Sequence, residues 1–201
     1  MSTSGCPTNK EHWGKIKNIS KIIVDYLFDN APNLWKLLYY ISPEDMPLVK
    51  SNLTNSQKAN MIISNAKEMY TTNSSVSKSI IFQDEIDEAF ANAVPQIRIF
   101  TGNKWNINDN QGVCMVHFKI VIPNKQLTFV DEINPNADRS DFIVYELCNA
   151  LEQKVIPELT TNTPLFNNRN APNGAGRSTG ASKGSYNTNF SGQLLTFAVL
   201  I

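Results

Sequence analysis

Residue types that could do chemistry are few in this chain, and their spacing does not suit it. There are two histidines, His12 and His117. His117 follows Cys114 by three positions within Gly112–Ile122, a run that alternates as a strand. Odd spacing on a strand sends two side chains to opposite faces, so the pair cannot easily share a metal. His12 has only Glu11 beside it. Cys6, Cys114 and Cys148 are too few and too scattered for a disulfide framework; they read as an N-terminal thiol and two small core residues, in a reducing compartment. Asp84, Glu85, Asp87 and Glu88 form an acidic run without the glycine and distal glutamate of a calcium loop. That run reads as a solvated face or an acidic contact for a neighbouring subunit. No nucleophile elbow is recognised, and no Ser-His-Asp or Cys-His pair stands in a nucleophile context. The expectation is a protein with no catalytic residues, no cofactor and no metal.

A phosphate loop is the remaining chemical option, suggested by Gly174-Ala-Gly176-Arg-Ser-Thr-Gly180. A dinucleotide fingerprint wants its third glycine where Thr179 stands, and a Walker A loop wants Gly-Lys-Ser/Thr where Gly180-Ala-Ser182 stands. No predicted helix follows whose N-terminus would face a phosphate. The stretch therefore reads as part of a flexible or assembly-ordered arm over Asn167–Asn189.

The totals narrow the class further. The chain has 201 residues, room for one domain with a core plus appendages, and 18 basic residues balance 18 acidic ones. Nothing global favours nucleic acid or an acidic membrane as partner. No run of apolar residues is long enough to span a bilayer, and Met1–Pro7 lacks the features of a signal peptide. The Asn-x-Ser/Thr triplets, such as Asn18–Ser20 and Asn52–Thr54, are chance in so asparagine-rich a chain.

The periodicity assigns the elements. Residues 1–9 are a polar leader. Trp13, Ile16, Ile19, Ile23, Tyr26 and Leu27 recur at helical spacing over Lys10–Phe28. A short helix over Ala31–Ile41 has Pro32 in its first turn and Leu34, Trp35, Leu37 and Leu38 as apolar content. Thr54 caps a third helix reaching Met69, with Ala59, Met61, Ile62, Ala66 and Met69 buried. After a polar loop over Thr71–Ser79 comes a short β run, Ser79–Phe82. The strand Gln96–Phe100 is broken by Thr101-Gly102, which leaves Trp105 in a polar loop over Asn103–Asn110. In Gly112–Ile122, Cys114, Val116, Phe118, Ile120 and Ile122 share one face, with Met115, His117 and Lys119 on the other. Pro123-Asn-Lys125 turns to a partner strand, Leu127–Ile133. Asp138 caps a helix over Arg139–Val155 with Val144, Leu147, Cys148, Leu151 and Val155 as its stripe and Asp141 as capping-box acid. The apolar run 190–201 must be buried or paired.

The expected fold class is α+β: a helical N-terminal third, an antiparallel β-sheet with a packed helix, and a long flexible arm before a C-terminal strand. One domain spans 10–166, with helices over 10–75 and sheet and helix over 80–158. The arm covers 167–189, and residues 190–201 complete the sheet.

Read together, these segments resemble the neck and tail-completion proteins of tailed bacteriophages, the ring subunits between portal and tail. The resemblance rests on Leu34-Trp-Lys-Leu-Leu-Tyr-Tyr40 with Met46-Pro-Leu48, and on Gln96-Ile-Arg-Ile-Phe100. It continues in Val116–Ile122 with helix Asp141–Leu147, and in Asn189-Phe-Ser-Gly-Gln-Leu-Leu-Thr-Phe197. The helix at 10–28 and the long arm depart from the compact family form, and the asparagine-rich composition suits a phage of an AT-rich host, such as a crAss-like phage. The resemblance implies a virion protein assembled in the host cytoplasm, with no membrane partner. It would form a homo-oligomeric ring of six or twelve subunits that docks on the portal and other neck or tail proteins. DNA would pass through its lumen without sequence-specific binding. Trp105, Asn106, Asn108, Asn173, Arg177, Lys183 and Tyr186 are the expected protein contacts. Alternatives are a tail adaptor or terminator in another layer, or a small module that binds a host factor.

Overall fold

The computed structural model describes residues 10–63, 78–82, 94–108, 111–152, 154–156, 158–159, 178–186 and 188–200. Its first elements are helices α1 (Lys10–Asn30) and α2 (Pro32–Tyr39). Ile19, Ile23, Val24 and Leu27 of α1 are buried, as are Leu34, Trp35, Leu37 and Leu38 of α2. Apolar positions three, four and five apart make one helical face, and that face meets the core. The corner between the helices is closed by polar groups. The Leu27 carbonyl, near the end of α1, accepts from Ala31 N at 3.1 Å and from the Trp35 indole Nε1 at 3.0 Å. Lys58 donates to the Phe28 carbonyl at 2.6 Å and lies over the Phe28 ring. Carbonyls left over at a helix end are satisfied here by a tryptophan and a lysine.

Helix α3 (Asn55–Asn60) opens with a capping box, in which Gln57 N donates to Thr54 Oγ1 and Thr54 N donates to Gln57 Oε1. It stops at Asn60, well before Met69. Met61 O accepts from Ser79 N and Ile80 N, and Ile63 N donates to Ile80 O, so β1 (Ile80–Ile81) has taken the backbone that further turns would need. Residues 64–69 lie outside the described residues, as does the acidic run 84–88.

The main sheet has five strands in the order β1-β2-β3-β7-β6, with β2 (Gln96–Asn108), β3 (Gln111–Pro123), β6 (Ser178–Ser185) and β7 (Phe190–Leu200). The fold is α+β, but the sheet is mixed: β1 runs parallel to β2 while the other pairs are antiparallel. Parallel neighbours need a crossover of about a dozen residues or more, and the link from Ile81 to Gln96 is long enough.

Two other expectations are corrected within the sheet. Strand β2 does not end at Phe100. It runs to Asn108, with its register to β3 shifting between Thr101 and Lys104. A bulge absorbs the Thr101-Gly102 break without ending the strand. A Cβ at Gly102 would run into the His117 imidazole, so a larger residue here needs that ring to move. The segment Leu127–Ile133 does not pair with β3, whose two edges are held by β2 and β7. Instead a 3-10 turn (Asn124–Gln126) leads into β4 (Thr128–Phe129), which pairs with β5 (Ala137–Asp138) in a separate small sheet. The eleven-residue β7 outcompetes a short segment that contains Asp131-Glu132.

The core lies between one sheet face and the helices. Cys114, Val116, Phe118, Ile120 and Ile122 are completely buried, joined by Ile97 and Ile99 of β2 and Leu195, Phe197 and Val199 of β7. The Phe118 and Phe197 rings meet edge to face at 5.8 Å. Helix α4 (Arg139–Leu151) packs on α2 and β7. Its buried face is Arg139, Ser140, Ile143, Glu146, Leu147, Ala150 and Leu151, whereas Val144 and Cys148 are half-buried and Val155, beyond the helix end, is exposed. The expected stripe is therefore rotated by about one residue, because three polar side chains occupy the core face and hydropathy does not register them.

Glu146 shows what that costs. It is 8 % exposed, accepts from Asn33 Nδ2 at 3.3 Å, and burial raises its carboxyl pKa against the opposing pull of Asn33 and Lys36. The folded state thus binds this proton more tightly than the unfolded chain does. Stability falls as pH rises from the ordinary glutamate value of 4.5 through the raised one. Glu146→Gln keeps an acceptor for Asn33 and removes the buried charge. We expect a higher melting temperature than wild type at pH 7 and an equal one near pH 3.5, read by thermal unfolding at both pH values.

Candidate interaction surface

The segment Ser178-Thr-Gly-Ala-Ser-Lys-Gly-Ser185 offers little for a core, and Ala181–Ser185 are all exposed. It nevertheless forms β6, antiparallel to β7, in register from Ala181↔Leu195 to Ser185↔Ser191. This corrects the arm expectation for its second half. A Ser/Gly strand gains a ladder where a long apolar strand presents an unfilled edge, because its backbone N–H and C=O groups then find partners. Residues 167–177, with Asn173 and Arg177, lie outside the described residues.

Side chains fasten β6 to the body of the protein. Lys183 Nζ lies 2.6 Å from Asp138 Oδ2 and 3.1 Å from Asp141 Oδ2. Asp138 is also the N-cap of α4, accepting from Ser140 N and Asp141 N. The capping role is as expected, but the Asp141 carboxylate serves Lys183 and Gln193 of β7. Gln193 also donates to Ser140 Oγ at 3.0 Å. Burial pushes the Asp138 carboxyl up, but Lys183 and Ser140 outweigh it and hold it below its ordinary value. The hydrogen bond to Asp138 raises Lys183 in turn. The pair's contribution is present above the usual aspartate range and is lost as pH falls through the lowered Asp138 value. Because Lys183 is about half exposed, the pair supplies at most about 1 kcal/mol. Its larger consequence is to neutralise the single charge on β6.

The remaining expected contacts fall as follows. Tyr186, just past β6, donates its backbone N–H to Phe190 O at 2.9 Å to close the hairpin, and Lys119 lies over its ring at 5.5 Å. Trp105, Asn106 and Asn108 sit in β2, opposite Val113, Gly112 and Gln111, rather than in a loop. The β2–β3 hairpin runs past the described end of β7, whose Leu200 stands opposite Val113. The structure thus brings Trp105, Asn106 and Asn108 together at one projecting hairpin. Lys183 and Tyr186 stand on the far side of the sheet.

Cys114 is buried on the core face. His117, on the opposite face, exchanges a hydrogen bond of 2.8 Å with Thr196 Oγ1 and stacks on Phe100. Half-burial and Glu152 push the Cys148 thiol up to about 11, which leaves it a poor nucleophile. Gly180-Ala-Ser182-Lys-Gly184 has the spacing of a nucleophile elbow. It lies inside β6 with Ser182 opposite Leu194, whereas an elbow needs a sharp strand-to-helix turn. Among the described residues no group of three or more His, Cys, Asp and Glu side chains is arranged to hold a metal ion, and no helix is long and apolar enough to cross a membrane. A depression lined by Ile22, Asp25, Tyr26, Asp29, Asn30 and Glu158 contains three carboxylates and no histidine, cysteine, serine or lysine.

Sequence reasoning missed Arg139. A cation in the first turn of a helix opposes the helix dipole, and that mismatch is the available signal of another use. No family model, curated protein or solved structure matches the chain.

Proposed function

We propose that this chain is a structural virion protein of a tailed phage, a ring subunit of the neck that joins portal to tail around the DNA channel. The observation that carries the reading is the exposed β6 edge. Here an eight-residue strand without a buried apolar side chain, its one charge neutralised internally, borders a sheet whose other side extends into a projecting hairpin. Such an edge suits contact with neighbouring chains better than it suits chemistry on a small molecule. The resemblance of Leu34–Tyr40, Gln96–Phe100 and Asn189–Phe197 to neck proteins gives the contact its setting. Equal numbers of acidic and basic residues suit a lumen through which DNA slides without being gripped.

The test is native mass spectrometry of the purified chain, alone and mixed with a candidate portal. Species of six or twelve subunits, or a complex with the portal, are expected. A chain that stays monomeric in both and instead captures a host protein would replace this reading with that of a host-binding module.

A further inference from the structure

We propose that Glu146 and Lys36 form a proton-operated latch on the Pro47–Val49 turn. While the Glu146 carboxyl is protonated, Lys36 holds the turn; when it ionises, Lys36 swings to the carboxylate and the turn loosens. The latch stands independently of the ring reading.

Asn33 and Lys36 are three positions apart on α2 and so leave the same side of that helix. Asn33 Nδ2 donates to Glu146 Oε1 at 3.3 Å, across the packing of α2 on α4. Lys36 does not bond the same carboxyl. Its Nζ donates to Leu48 O at 3.2 Å, in the 3-10 turn Pro47–Val49, and it acts on Glu146 only through its field. Both ionisable side chains are buried, Lys36 at 7 % and Glu146 at 8 % exposure. A buried acid and a buried base that lie in each other's field, yet each bond a neutral group, make the arrangement that suits a protonated acid.

Ionisation reverses the preference. A carboxylate shut away from water needs strong donors, and the long bond from Asn33 is a single neutral one. Lys36 is the cation whose field reaches it. An ammonium on a flexible four-carbon stem can turn between two acceptors, and a carboxylate attracts it more strongly than a carbonyl does. The other described charges around α4 are committed elsewhere. Arg139, two turns earlier, is held by Leu37 O, Tyr40 O and Gln126 O. Asp138 and Asp141 pair with Lys183, Asp45 pairs with Lys50, and Glu152 acts on Cys148.

The turn that Lys36 holds has few other ties. Within it Val49 N donates to Met46 O at 3.3 Å and Lys50 N to Pro47 O at 3.2 Å. Pro47 is buried, Leu48 is half-buried and Val49 is exposed. Loosened, the turn presents Leu48 beside Val49 at the surface. Because burial raises the Glu146 carboxyl, the change falls above the ordinary glutamate value of 4.5, with the turn held below it and loosened above it.

Hydrogen exchange and carbon shifts, read by NMR on the intact protein, test the latch. Corrected for intrinsic exchange, the Lys50 amide is expected to lose protection by about tenfold between about pH 4 and about pH 7, the factor a hydrogen bond to a charged group supplies. The Leu48 carbonyl carbon should titrate with the same midpoint as the Glu146 carboxyl carbon. Glu146→Gln is expected to keep the low-pH protection and the low-pH Leu48 shift throughout. Lys36→Met fills similar space without charge, so Glu146 should still titrate while Leu48 no longer follows it. A wild-type Leu48 shift that stays flat while Glu146 titrates would overturn the latch. Movement of Leu48 that persists in Glu146→Gln would overturn it too, since another group would then drive the turn. Those two comparisons decide the outcome even if Lys36→Met does not fold.

Discussion

Arg139→Ala is expected to lower stability by about 3–5 kcal/mol, the largest effect of any single substitution in the described part of the chain. The guanidinium is fully buried. It donates to Leu37 O at 2.7 Å, Tyr40 O at 2.9 Å and Gln126 O at 2.7 Å, and it lies over the Phe129 ring. These contacts tie the end of α2, the turn after β3 and the small sheet to the first turn of α4. Burial pushes its pKa down to about 10 against the opposing pull of Asp45, so it remains a cation at neutral pH. Removing it leaves three carbonyls without a charged donor, at roughly 1–3 kcal/mol each, less whatever water regains in the vacated space. Against a typical total of about 5–15 kcal/mol, this is a large fraction. Urea unfolding should show a lower midpoint with the slope unchanged. Arg139→Lys should recover less than half of the loss, because one ammonium cannot reach three diverging carbonyls. A loss below about 1 kcal/mol for the alanine variant would mean that the latch is not structural.

Gly192→Ala comes second, at about 3 kcal/mol, the upper end of what overpacking costs. A Cβ at this position would strike the Ile120 carbonyl, whose carbon it would approach to 2.8 Å, and would crowd Tyr186 Cε2 at 3.2 Å. The first obstacle is backbone of the neighbouring strand and has no rotamer to move to. The only relief from it is to separate β7 from β3, which loosens β6. Hydrogen exchange should therefore quicken in β6 and β7 first, with the α1–α2 corner still protected. Gly184→Ala is the matched control, since its added methyl enters open space. Equal destabilisation by the two substitutions would contradict the close approach at Gly192.

What the sequence determined by itself was whatever depends on neighbours a few residues away. Helices α1 and α2 follow from Ile19, Ile23 and Leu27 and from Pro32 with Leu34–Leu38, and α4 starts at the Asp138 cap. The buried face of β3 follows from strict alternation over Cys114–Ile122, which also separates Cys114 from His117. The α+β class follows from the order of these elements. Tertiary structure alone decided which strands meet. No local signal says that β3 is flanked by β2 and β7 rather than by Leu127–Ile133, because an apolar strand scores alike against any partner. Nor does composition reveal that Ser178–Ser185 is a strand, since its stability comes from backbone bonds to β7 and from an ion pair with residues about forty positions earlier. Polar residues on a core face, Arg139 and Glu146 among them, are invisible to periodicity because hydropathy counts them as solvent-facing. Long-range partners make their burial tolerable, and only the folded chain brings those partners together.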